Sequence, residues 1–279
     1  MRKGWRWLAM VAVLGIACME AAAAPAADDP ALALLQRAVD ADRVVLLGEL
    51  HGTQEAPRLA GEYVASSART GPVILALEID RRQQPLLSRY LASDGGASAR
   101  VALLAGKHWR DPMHDGRDSA AMLRLVERMR ALRAAGAPVA LLAFDPGAGD
   151  MDARNRGMAR ILRRAAALAP EARLVVLTGN VHAMTQPQEM FLDGRRIVLE
   201  TAGHALADLA PVSVDIGGAA GEAWACHSTC AKQPVTRFPR ALAAPTLERN
   251  APGAGWDYTL TLPRLSASPP AIETAGAGD

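Results

Sequence analysis

The sequence predicts an α/β fold: a mostly parallel central sheet with helices on both faces and a helical insertion after the second strand. Three observations predict it. Four short, unbroken apolar runs rich in Val, Leu and Ile recur along the chain, the pattern of strands buried on both faces. Stretches with helical spacing of apolar residues separate them, an alternation that builds a parallel sheet. The chain has 279 residues and is 50% hydrophobic, enough for one sizeable core.

The first strand is read at Arg43–Leu47, followed by a helix over Glu55–Ser67. Gly71-Pro72 introduces a second strand, Val73–Leu77, which ends at Glu78. Gly136-Ala137-Pro138 introduces a third, Val139–Ala143, ending near Asp145, and Leu174–Leu177 is a fourth, running into Thr178-Gly179-Asn180-Val181-His182. Met122, Leu125, Val126, Met129 and Leu132 form a helical stripe between Asp118, read as the N-cap, and Gly136. Met158, Ile161, Leu162, Ala165 and Leu168 form another between Asp152 and Ala169, stopped by Pro170. Both stripes read as core. The second and third strands are separated by more chain than one crossover helix needs, with extra helices at Gln84–Leu91 and Ala99–Leu104. Such an insertion leaves from the C-terminal edge of its strand and is expected to overhang that edge as a cap. Arg196–Glu200, Val212–Ile216 and Tyr258–Leu262 read as short strands extending the sheet.

The ends of the chain read differently. Arg2, Lys3 and Arg6 precede an apolar stretch over Trp7–Met19 and a small-residue zone over Ala21–Ala27, the layout of a signal peptide covering residues 1–24. A secreted, periplasmic protein is expected; Leu14-Gly15-Ile16-Ala17-Cys18 is a poorer lipobox, so anchoring at Cys18 is disfavoured. Without residues 1–24 the formal charge of +2 falls to zero, which leaves no electrostatic footprint for nucleic acid. No later stretch is long and apolar enough for a transmembrane helix. Residues 30–265 read as a single domain, and residues 266–279, rich in Ala, Ser, Pro and Gly, as a disordered tail. Cys226 and Cys230, in Cys-His-Ser-Thr-Cys, suit a short-loop disulfide in an exported protein. A metal site from Cys226, His227 and Cys230 lacks a fourth ligand.

A parallel sheet places all its strand C-termini along one edge, where α/β proteins bind ligands. Here four successive ends deliver Glu49 and His51, Glu78, Asp145, and His182. Arg154 lies in the first turn of the helix after the third strand and starts from the same edge. Asp115 and Arg117, in the insertion, are placed to line the cleft from above. A histidine flanked by carboxylates suits proton transfer to or from water. Arg154 suits a substrate carboxylate or an oxyanion. Glu49, His51, Glu78 and His182 are equally a ligand set for a divalent metal. Neither His-Glu-x-x-His nor Gly-x-Ser-x-Gly occurs, and a Gly-rich phosphate loop is also missing.

Leu46-Leu47-Gly48-Glu49-Leu50-His51-Gly52-Thr53-Gln54-Glu55 resembles the first motif of the erythromycin esterase and ChaN-like proteins, a superfamily that includes TraB and Tiki proteins. Ala76-Leu77-Glu78 is similar to the second motif. Arg154-Asn155 with Met158-Ala159 is similar to a ChaN-like helix motif, and Gly179-Asn180-Val181-His182-Ala183 to the Gly-Asn-x-His-Ala motif. The resemblance spans residues 43–183. It implies an α/β fold with a site at the residues above, Glu55 included as a lining residue. Esterase-like members imply lactone hydrolysis with a histidine base, by position His51. Tiki-like members imply metal-dependent proteolysis, and ChaN-like members haem binding in iron uptake. The expectation is therefore a hydrolase of an ester, lactone or amide, metal-assisted or not, with a small-molecule substrate. The alternative is a haem- or metal-binding protein without catalysis.

Overall fold

The computed structural model describes residues 29–147, 149–192, 194–226, 229–235 and 241–272. The expected signal peptide, Cys18 and His227 lie outside these residues. Helix α1 (Pro30–Val39) opens the described chain, with Asp29 accepting the Ala31 N–H at 2.9 Å as its cap. Then follow β1 (Val44–Glu49), α2 (Glu55–Ser67) and β2 (Val73–Asp80). The insertion contributes α3 (Gln84–Leu91), α4 (Ala97–Leu104) and α5 (Ala120–Ala134). The chain returns through β3 (Val139–Asp145), α6 (Met151–Leu168) and β4 (Arg173–Gly179). It continues as β5 (Gln188–Leu192), β6 (Arg195–Leu199), the short α7 (Ala202–Ala205) and β7 (Val212–Gly218). The last elements are β8 (Glu222–Cys226), β9 (Cys230–Pro234), β10 (Thr246–Arg249) and β11 (Tyr258–Leu262).

Seven strands form the main sheet in the order β10-β11-β7-β1-β4-β2-β3. All neighbours are parallel except β10 and β11. Side chains alternate across it, so each strand feeds two cores. Val45, Leu47, Leu75, Leu77, Val175 and Leu177 pack under α1, α2, α3 and α5, through residues such as Leu35, Tyr63, Leu87 and Met129. Val44, Leu46, Ala76, Leu174 and Val176 pack against Met158, Ala159 and Leu162 of α6. The expected helices on both faces are present. At the edge strand β3, Gln84 of α3 accepts the Ala143 N–H at 2.7 Å and donates to the Leu141 carbonyl at 3.0 Å. That covers an otherwise open sheet edge.

Several elements differ from expectation. Ser119, not Asp118, caps α5 by accepting from the Met122 N–H at 3.3 Å, because the Asp118 carboxylate binds His114 instead. The segment expected to extend the sheet near residue 196 pairs only with β5, in a separate antiparallel hairpin. Residues 266–272 are packed rather than disordered. Ser268 is fully buried, its N–H donates to the Gly52 carbonyl at 2.7 Å, and Ala271 donates to the Asp118 carbonyl at 2.9 Å. Small side chains hide this segment's role from a compositional reading, since backbone groups and the Ser268 hydroxyl, which accepts the Ala121 N–H at 2.9 Å, make its hydrogen bonds; residues 273–279 lie outside the described part. Cys226 and Cys230 form a disulfide closing the β8–β9 hairpin. The hairpin reaches the sheet edge through the Trp224 N–H, which donates to the Gly52 carbonyl at 2.9 Å. Gly52 and Gly116 both have positive φ, at 76° and 96°, and a Cβ on Gly116 would lie 2.2 Å from the Gly52 nitrogen. Only glycines allow the insertion loop to rest on the turn that carries His51.

Candidate functional site

The ends of β1, β2, β3 and β4 bring Glu49, His51, Glu78, Asp145 and His182 to one edge, as the topology requires. The first turn of α6 adds Arg154 and Asn155, and the insertion loop adds Asp115 and Arg117. Glu78 is the hub. Its Oε2 accepts the Thr178 hydroxyl at 2.6 Å and the Gly179 N–H at 2.7 Å. Its Oε1 accepts Arg154 Nη2 at 2.7 Å and Arg117 Nη1 at 3.4 Å. The Nε2 atoms of His51 and His182 lie 3.6 Å and 3.8 Å from its two oxygens. The two rings therefore flank one carboxylate, with Nε2 atoms within about 10 Å of each other by covalent reach alone.

His51 Nδ1 lies 2.9 Å from the buried carboxylate of Glu49, which fixes the ring and leaves Nε2 turned toward Glu78. Its side chain keeps 22% of its surface exposed. A Cβ on Gly179 would sit 2.9 Å from His51 Nε2, so the bare backbone of Gly179 makes room for the ring. Arg154 donates from Nε to Asp145 Oδ1 at 3.1 Å and from Nη2 to Asp145 Oδ2 at 2.6 Å. Arg154 Nη1 donates to His182 Nε2 at 2.7 Å. Since arginine only donates, His182 carries its proton on Nδ1, which donates to Asn155 Oδ1 at 2.5 Å. Arg117 pairs with Asp115 from Nε at 2.9 Å and reaches Asp145 at 3.2 Å.

These contacts set opposite protonation states for the two histidines. Burial works against charge on His51, but Glu78 and then Glu49 outweigh it and raise its pKa to about 10. Burial, with the positive charge of Arg154, lowers His182. Glu78 is buried, yet His51, His182 and Arg154 hold it well below the usual carboxylate range. Burial pushes Glu49 up, partly offset by His51. A histidine raised in the folded state adds stability that is complete below pH 6.5 and lost as pH rises through about 10. Urea midpoints of the wild type are expected to fall across that window, and those of His51→Gln to fall less; equal slopes would contradict the coupling.

The four residues expected as a metal set do not present an open cation site in this arrangement. Both Glu78 oxygens are taken by donors, His182 Nε2 faces a guanidinium, and two arginines stand among the carboxylates. Among the described residues no group of three or more His, Cys, Asp and Glu has metal-site geometry. The cleft beside them, of about 390 Å³, is lined largely by charged groups, including Asp80, Arg82, Lys107, Asp111, Asp115 and Arg117. Haem, with its large apolar faces, finds little apolar wall there, Met113 apart.

Glu55 is not part of this cluster. Its carboxylate accepts the Ser266 N–H at 3.0 Å and lines a separate groove with Arg58, Arg124 and Arg128. Asn155 and Thr178 were not singled out by sequence, although both sit inside quoted motifs. Their signal was adjacency to Arg154 and to the strand end before Gly179. No helix among the described residues is long and apolar enough to cross a membrane.

No protein-family model matches the chain, and no curated protein matches it in sequence. Solved structures do. A succinoglycan biosynthesis protein matches with a TM-score of 0.64 at 11% identity, over 88% of this chain and 93% of that one. A Bacillus cereus protein matches with a TM-score of 0.57 at 12% identity, over 89% and 95%. An erythromycin esterase in its open conformation matches with a TM-score of 0.52 at 12% identity, over 85% and 78%. This chain therefore shares its α/β architecture with these structures, an erythromycin esterase among them.

Proposed function

We propose that the protein hydrolyses an ester, lactone or amide bond at the edge of its sheet, with His51 as the proton-transfer group. The observation that carries the reading is the Glu49–His51 pair: a buried carboxylate holds Nδ1, and Nε2 is the ring nitrogen left for proton transfer, on a side chain that keeps 22% of its surface exposed. Neutral His51 takes a proton from water as the water oxygen bonds to the acyl carbon. The resulting imidazolium returns that proton to the leaving alkoxide or amine as the carbon–heteroatom bond breaks. Arg117, 30% exposed and lining the cleft, supplies positive charge for the oxyanion. Arg154, more deeply set, helps keep Glu78 ionised and holds the Glu78 and Asp145 side chains in place. That one structure of the same fold is an esterase supports an acyl substrate. The Cys226–Cys230 disulfide supports placing the protein in an oxidising compartment outside the cytoplasm.

The direct test is turnover of a panel of simple esters, lactones and amides by the purified protein, with and without a chelator. Hydrolysis that survives chelation is expected. Absence of turnover across the panel, or loss of all turnover on chelation, contradicts the proposal.

A further inference from the structure

We infer that Asn155 is a positioning residue that selects the Nδ1–H tautomer of His182 and through it aims the guanidinium of Arg154. The inference deepens the hydrolase reading, on which its catalytic consequence rests, but the tautomer itself is a physical property measurable without turnover. Asn155 is fully buried on the inner side of α6, and its Oδ1 lies 2.5 Å from His182 Nδ1. On the other side of the same ring, Arg154 Nη1 lies 2.7 Å from Nε2. An imidazole clamped between a guanidinium and an amide oxygen has one arrangement that satisfies both contacts: a lone pair on Nε2 and a proton on Nδ1. Turning the amide over would put its N–H₂ on Nδ1, move the ring proton to Nε2 and set two donors against each other at Arg154.

The cost of this arrangement is visible. Asn155 Nδ2 is buried with no hydrogen-bond partner among the described residues. A buried donor left unmade is unfavourable, so a polar side chain that tolerates it must be held by its other end. That end is the His182 contact. The groups facing His182 are Glu78, Arg154, His51 and Asp145, and all but the two carboxylates disfavour a second proton on the ring. A neutral amide at position 155 leaves that balance alone, whereas a carboxylate there overturns it. With His182 neutral, Arg154 Nη1 has an acceptor, and the rest of its fork falls on Glu78 at 2.7 Å and Asp145 at 2.6 Å. With His182 charged, Nε2–H meets Nη1–H and the fork is pushed off Glu78.

Histidine-selective ¹⁵N NMR, using two-bond ¹H–¹⁵N correlations, distinguishes Nδ1–H, Nε2–H and imidazolium forms. Wild type at pH 7 is expected to show His182 as neutral Nδ1–H. Asn155→Asp is expected to convert it to imidazolium and shift its titration upward, and Asn155→Ala to broaden the signal into a mixture of tautomers. The wild-type spectrum alone keeps the inference falsifiable should a variant fold poorly. An Nε2–H or imidazolium form in wild type overturns it, and so does a folded Asn155→Asp or Asn155→Ala protein whose His182 pattern is unchanged. These readouts need no substrate, so a negative hydrolysis panel and a negative tautomer experiment reject different statements.

Discussion

Replacing Arg154 with methionine is expected to destabilise the fold by about 3–5 kcal/mol, because it strips the partner from buried charge. The Arg154 side chain is largely enclosed and donates to Asp145, Glu78 and His182 at once, from 2.6 to 3.1 Å. Methionine fills similar volume but leaves Glu78 and Asp145, both buried, with a single guanidinium between them. That remaining group, Arg117, reaches them only at 3.4 Å and 3.2 Å. Its side chain is more exposed than that of Arg154, so it compensates only in part. Urea denaturation measures the loss, and adding Asp145→Asn to the variant is expected to restore part of it. A loss below about 1 kcal/mol, the range of a surface ion pair, contradicts the buried network.

Replacing His51 with glutamine is expected to lower turnover of a cleaved substrate by about 10³-fold, within the range that a positioned proton-transfer group supplies. Glutamine retains a donor for Glu49, so the buried carboxylate keeps a hydrogen bond and the fold is expected to survive. It cannot cycle a proton. Glu49→Gln is the milder companion: the Nδ1 contact persists in shape, but the negative charge favouring imidazolium is gone, and a loss of about 10²-fold is expected. Initial rates on the best panel substrate, with thermal unfolding as the fold control, decide both. His51→Gln within threefold of wild type would remove His51 from the chemistry.

Much of the arrangement is legible in the chain, for identifiable reasons. Val44–Leu47, Val73–Leu77 and Leu174–Leu177 stand out because a strand covered on both faces tolerates few polar side chains. Once those strands are parallel, geometry sends Glu49, Glu78, Asp145 and His182 to one edge. Helix α6 starts at that edge and places Arg154 among them. The β8–β9 hairpin is not legible, since Ala, Cys, Lys and Gln carry no strand signature and its docking is made by backbone groups of Trp224. Residues 266–272 escape for the same reason. Glu55 is close to His51 in sequence, but the start of α2 turns it to a different groove. Asn155 is the instructive omission: a polar residue beside a charged one on a helix reads as solvated, and only the fold reveals that its neighbour is an imidazole.

The central claim is that His51 gains and loses the proton that drives hydrolysis, under the control of Glu78. The pH dependence of kcat/KM for wild type and Glu78→Gln on one substrate tests it most directly. Because the neutral ring is the base, wild-type activity is expected to rise with pH toward the His51 pKa of about 10. Removing the negative charge of Glu78, the largest influence favouring the charged ring, is expected to move that rising limb to lower pH by about one unit or more. A limb that stays in place, or moves to higher pH, contradicts the assignment of His51 as the proton-transfer group.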